Sequence, residues 1–264
     1  MTRRALLLLS LMLAVGTAQA EPDVRFADFT WTEIAGAVSH GTDTIIIPVG
    51  GTEQSGPYLA VGKHDFRAEI QADRIAQALG HAMVAPVIAY VPEGGTSPRT
   101  SHMRFPGTIS IPPDAFRGLV TGAAESFHVQ GFRTVVFLAD HGGYIRQLEA
   151  ATDALNRAWR GTGARALYVA PYYDVVYGAF ADRVRGMGLG ADIGTHADLI
   201  DTALTMALKP DAVRSRELAS APLPGPRDGV YGGDPRAATA RIGTIGADMQ
   251  VNAAVAAIRA ARGN

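Results

Sequence analysis

Short apolar runs alternate along this chain with longer stretches whose apolar residues recur every three or four positions. Thr44–Val49, Met83–Ala89, Thr134–Ala139 and Ala166–Ala170 carry almost no polar side chains. Continuous apolar runs of this length suit strands covered on both faces, as in a parallel sheet. Helical spacing predicts helices over Phe66–Leu79, Pro113–Val129, Tyr144–Arg160, Leu199–Leu208 and Asp248–Ala261. In the first of these, Ala68, Ala72, Ile75 and Leu79 share one face and Ile70 lies off it. Gly80 and Gly131 stand where helices commonly end. Strand and helix patterns in alternation predict an α/β fold, three layers in the order α/β/α around a mostly parallel central sheet.

Three irregular stretches interrupt this pattern: Gly50–Lys63, Tyr90–Ile111 and Ala219–Gly233. Loops this long in a compact domain usually serve as lids or binding walls. No internal repeat or low-complexity tract divides the chain, and the Pro-rich Ala221–Pro226 segment is too short to be a linker. One domain over residues 21–264 is the expectation. The first twenty residues read differently. Arg3 and Arg4 precede an apolar run from Ala5 to Val15, and Ala18-Gln19-Ala20 follows as a small-x-small site. That is the pattern of a cleaved signal peptide, and the run is too short to span a bilayer. A periplasmic or secreted protein with no membrane contact after cleavage is expected. N-terminal sequencing of the exported protein should begin at Glu21; an intact Met1 on a cytoplasmic species would refute the leader.

Composition narrows the chemistry. The chain has no cysteine, so it has neither a disulfide nor a thiolate to act as nucleophile or ligand. Without Arg3 and Arg4, acidic residues outnumber basic ones by three, which argues against nucleic acid as a partner. There is no Gly-x-Ser-x-Gly elbow and no phosphate-binding loop. Gly186–Gly190 has the glycines of a nucleotide loop but no strand before it.

The polar residues that follow the first and third strand patterns hold the chemistry. Residues just past the carboxyl ends of parallel strands line the ligand crevice. Glu53 follows Thr44–Val49 and a glycine pair, with His64 and Asp65 shortly after, and His141 follows Thr134–Ala139. Two imidazoles and a carboxylate can hold a divalent ion with one position open. Glu53, His64 and His141 are therefore the candidate metal ligands, although Glu53 could also be a solvated loop residue and His141 a helix-start hydrogen-bond partner. Asp65 and Asp140 can orient an imidazole through its second nitrogen. His102 lies in a polar loop able to reach the same point. His196 opens a helix that carries Asp201, and the helix dipole there favours a neutral imidazole suited to general-base work.

These motifs resemble the creatininase (creatinine amidohydrolase) family. The carriers are Pro48–Pro57, Ser101–Ser110, His141-Gly142-Gly143, His196–Thr202 and Gly233–Arg236, in that order over most of the chain. The resemblance implies a creatininase-like fold, a metal-dependent hydrolase of small cyclic or linear amides, and a ring-like homo-oligomer such as a hexamer. It places His196 and Asp201 in the catalytic roles and His102 and Tyr144 at the substrate. Family members usually bind two divalent ions, and here the departures cluster. Ser55 stands for a ligand histidine, His64 for a bridging aspartate with Asp65 one step away, and Gly143 for a carboxylate. Leu199 and Arg241 replace frequent acids. The expectation is a single divalent ion, zinc with manganese or iron as alternatives, on Glu53, His64 and His141. Two rivals stand beside it: a periplasmic ligand- or partner-binding protein with degraded metal chemistry, and a metal-dependent lactonase.

Overall fold

A computed structural model describes residues 23–263, and the expected leader lies outside them. Four strands, β1 (Thr44–Val49), β2 (Ala82–Val84), β3 (Thr134–Ala139) and β4 (Arg165–Tyr168), form one sheet in the order β2-β1-β3-β4. All pairs are parallel. Among the described residues the α-helices are α1 (Trp31–Ser39), α2 (Lys63–Leu79), α3 (Pro113–Val129), α4 (Ile145–Ala158), α5 (Ala170–Val175), α6 (Ala181–Gly186), α7 (Leu199–Leu208), α8 (Ser215–Ser220) and α9 (Ala240–Arg262). None is long and apolar enough to cross a membrane.

The sheet is covered on both faces, which explains its continuous apolar runs. Ile45, Ile47 and Val49 of β1 and Val135, Phe137 and Ala139 of β3 pack with Phe116, Val120 and Phe127 of α3 and Leu148 and Leu155 of α4. The alternate residues Ile46, Val136 and Leu138 pack on the opposite face with Ala72 and Ile75 of α2 and Val251, Ala254 and Ile258 of α9. Period-two alternation sends successive side chains to opposite layers. This is the expected α/β/α sandwich.

Element ends follow local chemistry. Thr30 and Glu33 form a reciprocal capping box on α1. Asp198 accepts from the Asp201 N–H at the start of α7 (2.9 Å). β2 is shorter than its apolar run because Pro86 has no N–H to donate, yet the chain rejoins β1 when Ile88 N donates to Pro48 O (2.9 Å). β4 stops at Tyr168, and α5 follows with Pro171 in its first turn. α9 starts eight residues before its periodic stretch. Gly243 and Gly246 weaken helix propensity there. A side chain at either would collide with Ala203 of α7 or with Phe180, so tertiary packing overrides local preference.

The topology fixes where a ligand can bind. From β1 the chain crosses to β2 on one side, then returns over the sheet to β3 on the other. The switch of direction lies between β1 and β3, whose last residues, Val49 and Ala139, are register partners. In open α/β sheets the ligand crevice opens at that point.

Candidate metal centre and its cavities

Two turns carry the first residues of the site. After β1, the Asp65 carboxylate ties the loop by accepting from Gly51 N (2.8 Å) and Thr52 Oγ1 (3.1 Å). Gly51 has φ +143°, and a Cβ there would lie 2.8 Å from Glu93 Oε1. The loop thus turns Glu53 inward, where it is 0 % exposed. After β3, Asp140 is buried and His141 points into the crevice.

Glu53 divides its two oxygens between different partners. Oε1 lies 2.9 Å from Lys63 Nζ, 2.8 Å from His64 Nε2 and 3.4 Å from His196 Nδ1. Oε2 lies 3.2 Å from His102 Nε2 and 3.6 Å from His141 Nε2 and makes no hydrogen bond. Burial works to raise the Glu53 pKa, but Lys63, His141 and His64 outweigh it and hold the carboxyl well below its ordinary value.

Behind this pair runs a buried ionic network. His64 Nδ1 pairs with Asp140 Oδ2 (2.7 Å), which also accepts from Arg67 Nε (2.8 Å). Tyr172 donates its hydroxyl to Asp140 Oδ1 (2.9 Å). Arg67 reaches on to Asp201 Oδ1 (2.9 Å), and Lys63 Nζ lies 3.3 Å from Asp201 Oδ2. Despite burial, the two cations hold Asp201 well below the usual carboxylate range. Asp201 also accepts from Ala197 N (2.8 Å), fixing the backbone beside His196. Burial, aided by the Lys63 charge, pushes His196 down to about 3, so its imidazole is neutral.

Glu93, from the long loop, completes the other side. It is buried, and its Oε1 lies 3.1 Å from His141 Nδ1 without a hydrogen bond. Ligand atoms of Glu53, Glu93, His102 and His141 all fall within 4.8 Å of one another. Burial lowers His102, whereas at His141 the Glu53 and Glu93 carboxylates outweigh burial and raise it. Among the described residues, the buried carboxyl groups of Glu53, Glu93, Asp140 and Asp201 meet only Lys63 and Arg67 as permanent cations. That acid excess of two, with two buried oxygens lacking hydrogen bonds and two imidazoles beside them, fits a divalent ion.

Two cavities meet at this cluster. One of about 390 Å³ is lined by His64, His141, Tyr173, Tyr177, His196 and Tyr231. The other, about 640 Å³, lies beyond Glu93 against Ile111, Pro112 and Gln147. Ser101, His102 and His141 border both.

The structure therefore gathers Glu53, His64, His102, His141, His196 and Asp201 at one crevice. His64 is at the site, but Lys63 and Glu53 already engage its Nε2, and it is not part of the Glu53–Glu93–His102–His141 cluster. Tyr144, expected at the substrate, is wholly buried in the core and lines neither cavity. Its hydroxyl, with one hydrogen to share, lies 2.6 Å from Val49 O and 2.7 Å from Gly50 O, bracing the end of β1. Asp65 instead holds the loop through Gly51 and Thr52. Sequence reasoning missed Lys63, Arg67 and Glu93. Arg67 follows His64 by three residues, on the same helix face, and that spacing was a usable signal. Two non-glycine residues with positive φ, Ser101 (+48°) and Ala197 (+52°), adjoin His102 and His196. Such strain concentrates at functional sites.

Known proteins share this arrangement of elements. The sequence profile described as "Creatininase: Creatinine amidohydrolase" matches residues 27–258. The creatinine amidohydrolase of Pseudomonas putida is 28% identical over 196 residues, 72% of this chain and 74% of that protein. The mycofactocin precursor peptide peptidase of Mycolicibacterium smegmatis is 29% identical over 68% of this chain and 64% of its own length. A 3-dehydro-scyllo-inosose hydrolase of Thermotoga maritima is 27% identical over 64% and 51%. The chain thus spans about half to two thirds of the length of the latter two relatives. A creatinine amidohydrolase crystal structure superposes with a TM-score of 0.72 at 22% identity, covering 90% of this chain and 97% of that one. A creatininase described as the Mn form gives 0.72 at 24%. At these identities the structural likeness is one of fold, and it agrees with the profile match across nearly the whole described chain. The chain belongs to the creatininase (creatinine amidohydrolase) family.

Proposed function

We propose that this protein is a metal-dependent amidohydrolase that cleaves a carbon–nitrogen bond in a small cyclic or linear amide. The buried acid excess at Glu53 and Glu93, with oxygens left free beside His102 and His141, carries the reading. Those four residues would hold one divalent ion. Zinc suits mixed imidazole and carboxylate donors, with manganese or iron as alternatives. Relatives described in Zn–Zn and Mn forms support a metal in this family site. When bound, the ion supplies Lewis acidity to a substrate carbonyl. The proposal also includes export to the periplasm or beyond, and a homo-oligomeric state.

The chain's own residues divide the remaining work. His196 Nε2 donates to the Gln54 carbonyl oxygen (2.8 Å), leaving Nδ1 to accept a proton. On the cavity wall, it is the group we assign to proton transfer toward a leaving nitrogen. Asp201 acts through the Ala197 N–H and the two buried cations, so it positions His196. The substrate lies in the smaller cavity, where Tyr173, Tyr177 and Tyr231 limit its exposure to water.

Two measurements test this. Protein purified without added metal should carry about one equivalent of a divalent ion, and a chelator should remove both ion and amide hydrolysis. A folded protein that takes up no ion even after zinc addition would favour a binding role on the same fold. His196→Ala should retain its metal and lose on the order of a hundredfold in turnover, the usual effect of a lost general acid or base. Unchanged turnover would remove His196 from the reaction.

A further inference from the structure

We propose that the Lys63 ammonium fills a cation position built into this site, so that the chain holds one exchangeable ion beside one fixed positive charge. Lys63 opens α2 directly after Gly62, and its side chain is 0 % exposed. An ammonium has three N–H donors and no acceptor. Here three groups surround it: His64 Nε2 at 2.8 Å, Glu53 Oε1 at 2.9 Å and Asp201 Oδ2 at 3.3 Å.

His64 is the informative partner. Its Nδ1 faces the Asp140 carboxylate at 2.7 Å, and its Nε2 stands 2.8 Å from Lys63 Nζ and 2.8 Å from Glu53 Oε1. A carboxylate behind one ring nitrogen and a cation before the other is how a metal-ligating imidazole is oriented. In this chain the cation before it is an ammonium. With Lys63 absent, Glu53 Oε1, His64 Nε2 and Asp201 Oδ2 are the groups that would draw together around an ion. Metal–ligand distances of about 2.0–2.2 Å cannot be met while the ammonium sits among the three. Glu53 then joins the two positions, with Oε1 on the fixed charge and Oε2 on the exchangeable ion. Lys63 is a positioning residue. It neutralises Glu53 Oε1 and Asp201 permanently, and a chelator cannot remove it.

This inference rests on the metal reading above, and it is tested by counting ions rather than by activity. Wild type, Lys63→Ala and Lys63→Met are dialysed against zinc, and bound zinc is measured per chain. Lys63→Ala opens both space and ligands and should bind one equivalent more than wild type. Lys63→Met removes the charge but fills the space, and should bind no more than wild type. Lys63→Ala combined with His64→Ala should return to the wild-type count. A folded Lys63→Ala with no added equivalent overturns the proposal. Anomalous scattering from zinc-soaked wild-type crystals decides the matter even if Lys63→Ala does not fold. An ion among Glu53 Oε1, His64 Nε2 and Asp201 Oδ2 overturns it, and zinc confined to the Glu53–Glu93–His102–His141 cluster supports it. If wild type binds no zinc while Lys63→Ala binds one, the one-ion hydrolase reading fails and the role of Lys63 stands.

Discussion

Glu53→Gln should release the ion and with it the hydrolytic activity. The substitution keeps the shape of the side chain and removes the charge that both halves of the site share. Oε2 faces His102 and His141, so its replacement by an amide group takes the central anionic ligand from the cluster. Loss of a partner behind a ligand typically costs roughly 10–100-fold in metal affinity, and loss of the ligand itself should exceed that. Lys63 keeps Asp201 as a charged neighbour, so the protein should still fold. The check is zinc affinity by competition with a chelating dye, alongside circular dichroism. A folded Gln variant that retains wild-type zinc affinity would exclude Glu53 as a ligand.

Arg67→Met should be the most destabilising single change in the network. Arg67 is 4 % exposed, and its guanidinium serves Asp140 (Nη2 at 2.6 Å) and Asp201 (Nη1 at 2.9 Å). Its loss leaves two buried carboxylates short of a partner, a situation that costs about 3–5 kcal/mol. The matched control is Arg74→Ala, which removes a half-exposed ion pair with Asp248 and should cost no more than about 1 kcal/mol. Urea unfolding of metal-free protein compares the two without ion binding contributing. Equal midpoints would show that Asp140 and Asp201 do not depend on Arg67.

The fold was legible because burial on both faces writes itself into sequence. Ile45 to Val49 and Val135 to Ala139 must be apolar at every position, since neither layer offers water. β1, β3, α3 and α7 have the ends their patterns predicted. Patterns were weaker where packing overrode preference: the glycines of α9 hid its first two turns, and Pro86 divided the second strand. The segment from Ala170 to Gly186 forms α5, a wide-turn helical stretch and α6, although no single apolar period runs through it.

Within the site, sequence located the residues and tertiary structure chose their atoms. Glu53 and His141 could be found because they follow neighbouring strands at the point where the sheet reverses direction. The approach of Glu93 could not, because an irregular loop has no period to place its side chains. Nor could sequence decide between His64 and Asp65, which are adjacent on α2 and about 100° apart around its axis. The helix docks so that His64 and Lys63 face Glu53, while Asp65 turns back to hold Gly51 and Thr52. The sequence by itself determined the parallel sheet, its crevice and the residue types gathered there. Only the packing of α2 and of the long loop decided that a buried lysine takes one side of Glu53 and Glu93, beside His141, the other. Distances of a few ångströms between charges set that outcome, and no spacing along the chain encodes them.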